Sequence, residues 1–389
     1  MLAFTFPGQG SQQPGMGRPW VDHPSWSIVA AASDASGRDI AALLLDADAD
    51  ELRRTENAQL STYVLSLVVH DAVRALGVRC HRAAGHSLGE YSALTALGAL
   101  PLGGGAALVA ERGRAMQLAA DGRPGAMAAI LGADDQAVAA ACDTAAGAVW
   151  VANSNAPGQA VVAGDPAAVA EAGEIAKRLG ARRVLALPVG GAFHTPFMAP
   201  AAERLRAALA DTQFLDAEVP LVANVDGLPH QHADQWADLL LAQLTAPVRW
   251  RQSVERLVDD GVQVFLELGP GSVLTGLSKR AAPDGVARSI AEPAALDAAV
   301  EAADAVGAVD RHEGEHLFAA DRLVISPAAG VFVPVQDVVT GQQIECGRVI
   351  GHVAGHAVRS PFRGTVKGLL AVAGERLTRS QPVAWLHSA

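Results

Sequence analysis

The segment Gly85-His86-Ser87-Leu88-Gly89-Glu90 sets a serine between two glycines, the spacing of a nucleophile elbow. A serine at a strand-to-helix junction has its hydroxyl pushed out of the backbone. The flanking glycines let an incoming carbonyl come close, and the positive end of the following helix favours negative charge there. The chemistry this permits is attack on an acyl carbon through a covalent acyl-serine.

Further segments supply partners for that serine. Pro7-Gly8-Gln9-Gly10-Ser11-Gln12 has glycines that let a backbone N–H approach a ligand, one half of an oxyanion hole; the Leu88 N–H is placed for the other half. Glu111-Arg112-Gly113-Arg114-Ala115-Met116-Gln117 puts a cation on an otherwise apolar helix. A buried arginine is costly unless paired, so Arg112 either meets a protein carboxylate or receives one from a substrate. Phe193-His194-Thr195 offers His194 as a general base for Ser87. Asp121, Asp134 and Asp165 lie between Ser87 and His194, but in no context that marks an acidic third member. Gln243-Leu244 with Ala246-Pro247-Val248-Arg249-Trp250, and Glu267-Leu268-Gly269-Pro270-Gly271-Ser272-Val273-Leu274, complete the set.

The elements that must position these residues follow from periodicity. Val78 to Ala84 predicts a strand into the elbow, and Leu88, Tyr91, Leu94 and Leu97 predict a helix out of it, stopped at Gly98. With a strand at 2–6, an apolar helical stretch at 59–76 and a helix near 104–120, the pattern is an α/β layer on a mainly parallel sheet. Between 126 and 190 the order becomes β-α-β-β-α-β: strands at Ala126–Leu131, Val149–Ala152, Gln159–Ala163 and Arg183–Val189, helices at Asp134–Ala146 and Pro166–Leu179. That order predicts a small ferredoxin-like unit inserted into the larger domain. Helices near 197–210 and 250–260 and a strand at Val262–Leu268 resume the α/β texture.

Residues 303–320 have little apolar periodicity and predict a linker. The rest is strand-like and repeats loosely. Ser326-Pro327-Ala328-Ala329-Gly330-Val331 recurs as Ser360-Pro361-Phe362-Arg363-Gly364-Thr365, each copy followed by an apolar strand. A repeated strand–turn–strand unit of this size predicts a small two-fold β-barrel or sandwich.

Composition narrows the function class. The chain has 389 residues, 50% of them hydrophobic and 18% charged, with a formal net charge of -11. An acidic chain of this kind lacks the basic face that nucleic acid requires. Cys80, Cys142 and Cys346 are scattered, which predicts neither a disulfide framework nor a zinc site and agrees with a reducing cytoplasm. Met1 to Pro7 has no basic n-region, and no apolar run is long enough to span a bilayer, so a soluble cytoplasmic protein is expected.

PGQGSQ, GHSLGE, RGxxMQ, FH, QLxxPVxW and ELGPGxVLTGLxKR occur here in one order. Together they resemble the malonyl-CoA:acyl-carrier-protein transacylase family, which includes the acyltransferases of fatty-acid and polyketide synthesis. The resemblance spans residues 1 to about 300. It implies an α/β-hydrolase-like core over 1–125 and 191–302 around the ferredoxin-like subdomain at 126–190. It also implies that Ser87 is acylated, that His194 is its base, and that the Gln243 main-chain carbonyl orients the imidazole. The Gln9 and Leu88 N–H groups would hold the oxyanion, and Arg112 would pair with the free carboxylate of the acyl group. Phe193 and Leu88 go with malonyl rather than methylmalonyl in that family, the ring filling the space of an α-methyl. Gly191 stands where polyketide malonyl domains usually carry histidine, which removes bulk from the same wall.

The repeat at 321–389 resembles a biotinyl/lipoyl-type barrel-sandwich hybrid. Its central hairpin, His352 to Val358, has no lysine, and Lys367, the module's one lysine, falls elsewhere, so no covalent biotin or lipoate is expected. His352 and His356 lack a third metal ligand, and no metal is expected. Packing, self-association or partner docking are the roles left to the module.

The partners implied are a coenzyme A thioester, with malonyl-CoA as substrate, and a separate acyl carrier protein, with no nucleic acid and no membrane. Carrier docking needs a local basic patch; Arg249, Arg251, Lys279 and Arg280, and Lys177, Arg178, Arg182 and Arg183 in the insert, are the candidates. Alternatives within enzymes are an editing acyl-thioester hydrolase or the malonyl-loading subunit of a malonate decarboxylase. The non-enzyme alternative is a scaffold working through the β module.

Overall fold

Leu2–Phe6 forms strand β1, buried on both faces as the centre of a parallel sheet requires. Four helices follow: α1 (Ser27–Ser36), α2 (Ile40–Leu45), α3 (Ala49–Arg53) and α4 (Thr55–Ala75). The first three were not legible in the sequence. They are short and begin on side-chain or turn caps such as Asp39 and Asp48 rather than on a long apolar period. The α4 helix is buried along most of its length, and Leu65, Val68 and Val69 on it join Phe4 and Phe6 in the main core. β2 (Arg82–Gly85) enters the elbow and α5 (Leu88–Ala96) leaves it, with Gly98 at φ 75 just beyond its end. β2 is shorter than the expected strand. Val78 instead bridges Val309. The α6 helix (Leu102–Gly122) then packs against α4.

The next segment forms β3 (Ala126–Leu131), α7 (Asp135–Thr144), β4 (Val149–Ala156), β5 (Gln159–Gly164), α8 (Pro166–Arg178) and β6 (Arg183–Ala186). Its antiparallel sheet has the order β4-β5-β3-β6, and both helices pack on it around Ile130, Val138, Val162 and Ile175. The last strand ends at Ala186; Leu187 to Val189, expected to continue it, turn toward the cavity described below.

The chain returns through α9 (Ala199–Ala210), β7 (Leu221–Val222), β8 (Pro229–His230), α10 (Trp236–Gln243), α11 (Trp250–Asp259), β9 (Val264–Leu268), α12 (Val273–Ala281), β10 (Val286–Ile290) and α13 (Leu296–Asp304). The large sheet has the order β10-β9-β1-β2-β7-β8, parallel except where β8 runs against β7. Phe6 pairs with Gly85, so the loop after β1 and the elbow emerge side by side at the carboxyl ends of adjacent strands.

The computed structural model describes residues 1–310 and 321–387. It divides into one unit spanning Met1–Asp310 and a second from residue 311 onward. The expected linker is therefore corrected at its start. Ala303 is buried at the end of α13, Val309 bridges Val78, and Asp310 pairs with Arg79, so 303–310 belong to the first unit. The remainder of that stretch, 311–320, lies outside the described residues, as do 388 and 389.

The second unit holds β11 (Asp321–Ile325), β12 (Gly330–Pro334), β13 (Gln343–Ile344), β14 (Val349–Val353), β15 (His356–Arg359), β16 (Gly364–Leu369), β17 (Arg376–Leu377) and β18 (Pro382–His387). Two antiparallel sheets result, β11-β18-β16-β13 and β15-β14-β12-β17, around Phe332, Ile350, Val366 and Leu386. The sequence repeat is a structural one. Ser326 N–H donates to Gln381 O (2.8 Å) and its carbonyl accepts from Ser380. Ser360 N–H donates to Arg348 O (2.9 Å) and its carbonyl accepts from Gly347. Each half thus grips the other half by its Ser-Pro turn. Lys367 is exposed on β16, and the turn between β14 and β15 is Ala354-Gly355. Among the described residues no helix is long and apolar enough to cross a membrane.

Candidate active site

Steric exclusion builds the elbow. A Cβ at Gly85 would collide with the Gly89 carbonyl, and one at Gly89 with the Phe6 carbonyl oxygen. Only glycine allows β2, the turn and α5 to close this tightly. Ser87 is thereby held at φ 54, ψ −107, a conformation rare for any residue with a side chain. The Asn224 side chain locks the turn, accepting from Ser87 N–H (2.6 Å) and donating to Gly85 O (2.6 Å).

The Ser87 hydroxyl lies 2.7 Å from His194 Nε2. His194 is buried at φ 60, in a loop where the Thr195 hydroxyl donates to Ala192 O (2.6 Å). Its Nδ1 is 2.9 Å from Gln243 O. A carbonyl only accepts, so Nδ1 carries the proton and Nε2 presents its lone pair to Ser87. Burial, reinforced by the positive charge of Arg112, pushes the imidazole down to about 3. It is neutral across the physiological range. Of the intervening acids, Asp121 bonds Gln117, Asp134 caps α7 and Asp165 pairs with Arg123, so none supports the imidazole.

Arg112, on α6, is 1% exposed. It donates to Gln59 Oε1 (2.6 Å), Gln243 Oε1 (2.9 Å) and Ser87 Oγ (3.2 Å), and its guanidinium stands 5.0 Å from the Tyr91 ring centre. All its partners are neutral. Of the two readings left open by the sequence, direct pairing with a protein carboxylate is not what the fold provides. Burial lowers its proton affinity, but an arginine stays charged in proteins.

These groups open onto a cavity of about 540 Å³, a volume within the range of small-molecule sites. Gly8, Gln9 and Gly10 line it together with Ser87, Leu88, Phe193 and His194. A Cβ at Gly8 would run into His86 O, so the first loop lies directly on the elbow. Gln12 fixes that loop by accepting from Gly10 N–H (2.7 Å) and donating to Leu52 O (3.3 Å). Leu88 N–H, at the first position of α5, belongs to the helix end whose donors lack intrahelical acceptors. The ELGPG segment acts at a distance: Glu267 accepts from Leu274 N–H (3.0 Å) and Thr275 N–H (2.7 Å). It so caps α12, whose Val273, Leu274 and Leu277 line the cavity.

Sequence reasoning missed several residues of this site. Gln59 and Asn224 carried no motif, and the Gln243 side chain reaches Arg112, Ser87 O and Glu90 in addition to the contact its carbonyl makes with His194. Glu90, inside the quoted elbow, had no assigned role. Of the basic residues considered for docking, Arg251 is paired with Glu255 and Asp135, whereas Arg249, Lys279, Arg182 and Arg183 are exposed; Arg280 donates to Gln159. Among the described residues no three His, Cys, Asp or Glu side chains are gathered for a metal.

A parallel α/β sheet with a strained serine at its carboxyl edge, a neutral histidine and a facing backbone loop defines an acyl-group-handling serine site. Residues 3–326 match the acyl transferase domain family. Malonyl CoA-acyl carrier protein transacylases of Escherichia coli K12 and Bacillus subtilis are 42% and 37% identical over 307 and 305 residues, 77% of this chain and 99% and 96% of theirs. The acyl-carrier-protein S-malonyltransferase of Burkholderia pseudomallei superposes with a TM-score of 0.74 at 41% identity, covering 77% of this chain and 99% of that one. A malonyl-transacylase solved with its type II polyketide synthase acyl-carrier protein gives 0.74 at 38%, over 77% and 99%. The chain belongs to the malonyl-CoA:acyl carrier protein transacylase family.

Proposed function

We propose that the protein moves a malonyl group from malonyl-CoA to the phosphopantetheine thiol of an acyl carrier protein, acting in trans through an acyl-serine on Ser87. The observation that carries this reading is Arg112, a buried guanidinium with only neutral partners, 3.2 Å from the Ser87 hydroxyl.

His194 Nε2 takes the Ser87 proton as Oγ attacks the thioester carbonyl. The N–H groups of Gln9 and Leu88 hold the oxyanion, and collapse expels the coenzyme A thiol, protonated by His194. The carrier thiol then repeats the sequence in reverse, giving ping-pong kinetics. The Gln243 carbonyl keeps the imidazole in the required tautomer, completing a dyad without an acid. The acyl carboxylate forms a bidentate pair with Arg112, worth roughly 1.5–3 kcal/mol, or one to two powers of ten in preference over acetyl. Phe193 closes the wall against an α-methyl, with Leu88 beside it.

The same reading takes the core as α/β-hydrolase-like over 1–125 and 191–302 and the insert at 126–190 as ferredoxin-like, an assignment supported by its β4-β5-β3-β6 order. It takes 321–389 as a barrel-sandwich module of the biotinyl/lipoyl type, with no covalent cofactor, and as a surface for self-association or partner docking. A cytoplasmic location agrees with the free cysteines Cys80, Cys142 and Cys346.

The test is intact-protein mass spectrometry after malonyl-CoA, then after adding a phosphopantetheinylated carrier. A malonyl adduct on Ser87 that moves to the carrier is expected. An adduct lost to water with or without carrier would make the protein a hydrolase.

A further inference from the structure

Glu90 is fully buried on α5, one turn after the nucleophile, and takes no part in the chemistry described above. Its Oε2 accepts from Gln243 Nε2 (2.9 Å) and from Asn224 N–H (3.1 Å), while its Oε1 has no partner. Gln243 Nε2 also donates to Ser87 O (2.9 Å), and Gln243 Oε1 accepts from Arg112 Nη2 (2.9 Å). The amide therefore has one workable orientation. Turned over, it would set its NH2 group against the guanidinium and its oxygen against both the Ser87 carbonyl and the Glu90 carboxylate.

That amide separates Glu90 from Arg112. A carboxylate in direct contact would occupy the guanidinium and compete with an incoming acyl carboxylate. One amide away, it supplies a counter-charge and still leaves the guanidinium's donors facing Ser87. We propose that Glu90 is a positioning residue, fixing the polarity of the Gln243 amide so that Arg112 is held, yet left open, for the carboxylate of the substrate. The assignment rests on the reading that Arg112 receives that carboxylate.

Burial pushes the Glu90 carboxyl up to about 7, opposed by the hydrogen bonds from Gln243 and Asn224. The charged groups facing it are Arg112 from α6, which favours its ionised form, and Asp226, after β7, which disfavours it. Protonation weakens the acceptor, so the grip on malonyl-CoA loosens as pH falls through that range.

The experiment compares Ser87 acylation by malonyl-CoA and by acetyl-CoA in the full-length wild type, Glu90→Gln, Glu90→Leu, Gln243→Ala and the double variant Glu90→Gln with Gln243→Ala. Glu90→Gln preserves an oxygen at the bonded position and removes the charge, so it keeps the fold's hydrogen bonds. It is expected to raise the malonyl-CoA KM about ten-fold, with kcat and acetyl-CoA acylation within about two-fold. The wild-type rise in KM below about pH 7 is expected to be absent from it. Glu90→Leu, where it folds, should lower the malonyl-to-acetyl ratio further. In the Gln243→Ala background Glu90→Gln should change the ratio no more, since the route from Glu90 to Arg112 is already cut. An unchanged ratio in Glu90→Gln, or an undiminished effect in the double variant, overturns the proposal. Arg112→Ala separates the two readings. If it erases the malonyl preference while Glu90→Gln does not, only the positioning role falls; if it leaves the preference intact, the carboxylate site falls first.

Discussion

In the first unit Ser87 is held at φ 54 with its hydroxyl on His194 and Arg112. In the second, Ser326 and Ser360 are more deeply buried than the half-buried Ser87 and donate to the carbonyls of Ala328 (2.7 Å) and Phe362 (2.6 Å), two residues ahead. A hydroxyl that closes on its own backbone fixes a turn. One denied that option by its backbone is left for chemistry. The buried atoms without partners are concentrated in the first unit. Among the described residues, Arg112 Nε belongs to a side chain that lines the cavity and Glu90 Oε1 lies one amide behind it, others such as His230 Nδ1 and Trp236 Nε1 lie away from the cavity lining, and Arg348 Nε is the one such atom of the second unit. Positive φ occurs in the second unit too, at Ala354 and Ser380, but there it shapes turns between strands. Strain and unpaired polarity mark function when they converge on one cavity.

This contrast breaks most sharply with Ser87→Ala, which should lower acylation by about four powers of ten or more while the protein keeps its melting temperature. Retained acylation would place the nucleophile elsewhere. The pH profile is next in size. With His194 neutral down to about 3, kcat at saturating malonyl-CoA should stay flat from pH 8 to about 5. An imidazole with an ordinary value near 6.5 would instead lose roughly thirty-fold by pH 5. Ser326→Ala and Ser360→Ala should each cost about 1 kcal/mol of second-unit stability, read by thermal melting, with kcat unchanged. A fall in kcat would tie the second unit to catalysis. Glu90→Gln is read last, by melting temperature against pH. A carboxyl raised by burial contributes stability below its unfolded value of 4.5 and loses it as pH rises through about 7. The variant should therefore gain on wild type from pH 4.5 upward and hold a constant lead above pH 7. A gap independent of pH would show that Glu90 ionises as it does in the unfolded chain.

The sequence made the candidate site residues that the fold brings together legible because each sits in a local pattern. Ser87 lies between the glycines that its turn demands, and Arg112 stands out on an apolar helix. The order of elements from 126 to 186 and the Ser-Pro repeat were legible for the same reason, being periodic over short distances. What stayed hidden depends on long-range contact. Gln59 reaches Arg112 across 53 residues, and Asn224 reaches Ser87 across 137, from the turn after a two-residue strand with no period to detect. The Gln243 side chain was hidden behind its own carbonyl, since one residue serves both His194 and Arg112. The linker was placed too early because the anchors between 303 and 310 are small side chains, Ala303 and Ala308 buried and Val306 and Val309 partly so, interspersed with charges and a glycine.

The central claim is that the buried guanidinium beside Ser87 reads a free carboxylate on the acyl group. Measuring kcat/KM for Ser87 acylation by malonyl-CoA and acetyl-CoA in wild type and Arg112→Ala tests it most directly. Wild type should favour malonyl by about ten- to a hundred-fold or more, and Arg112→Ala should erase or invert that preference, chiefly by losing malonyl turnover. An equal loss for both thioesters would mean that Arg112 serves the nucleophile and not the substrate, and would contradict the account.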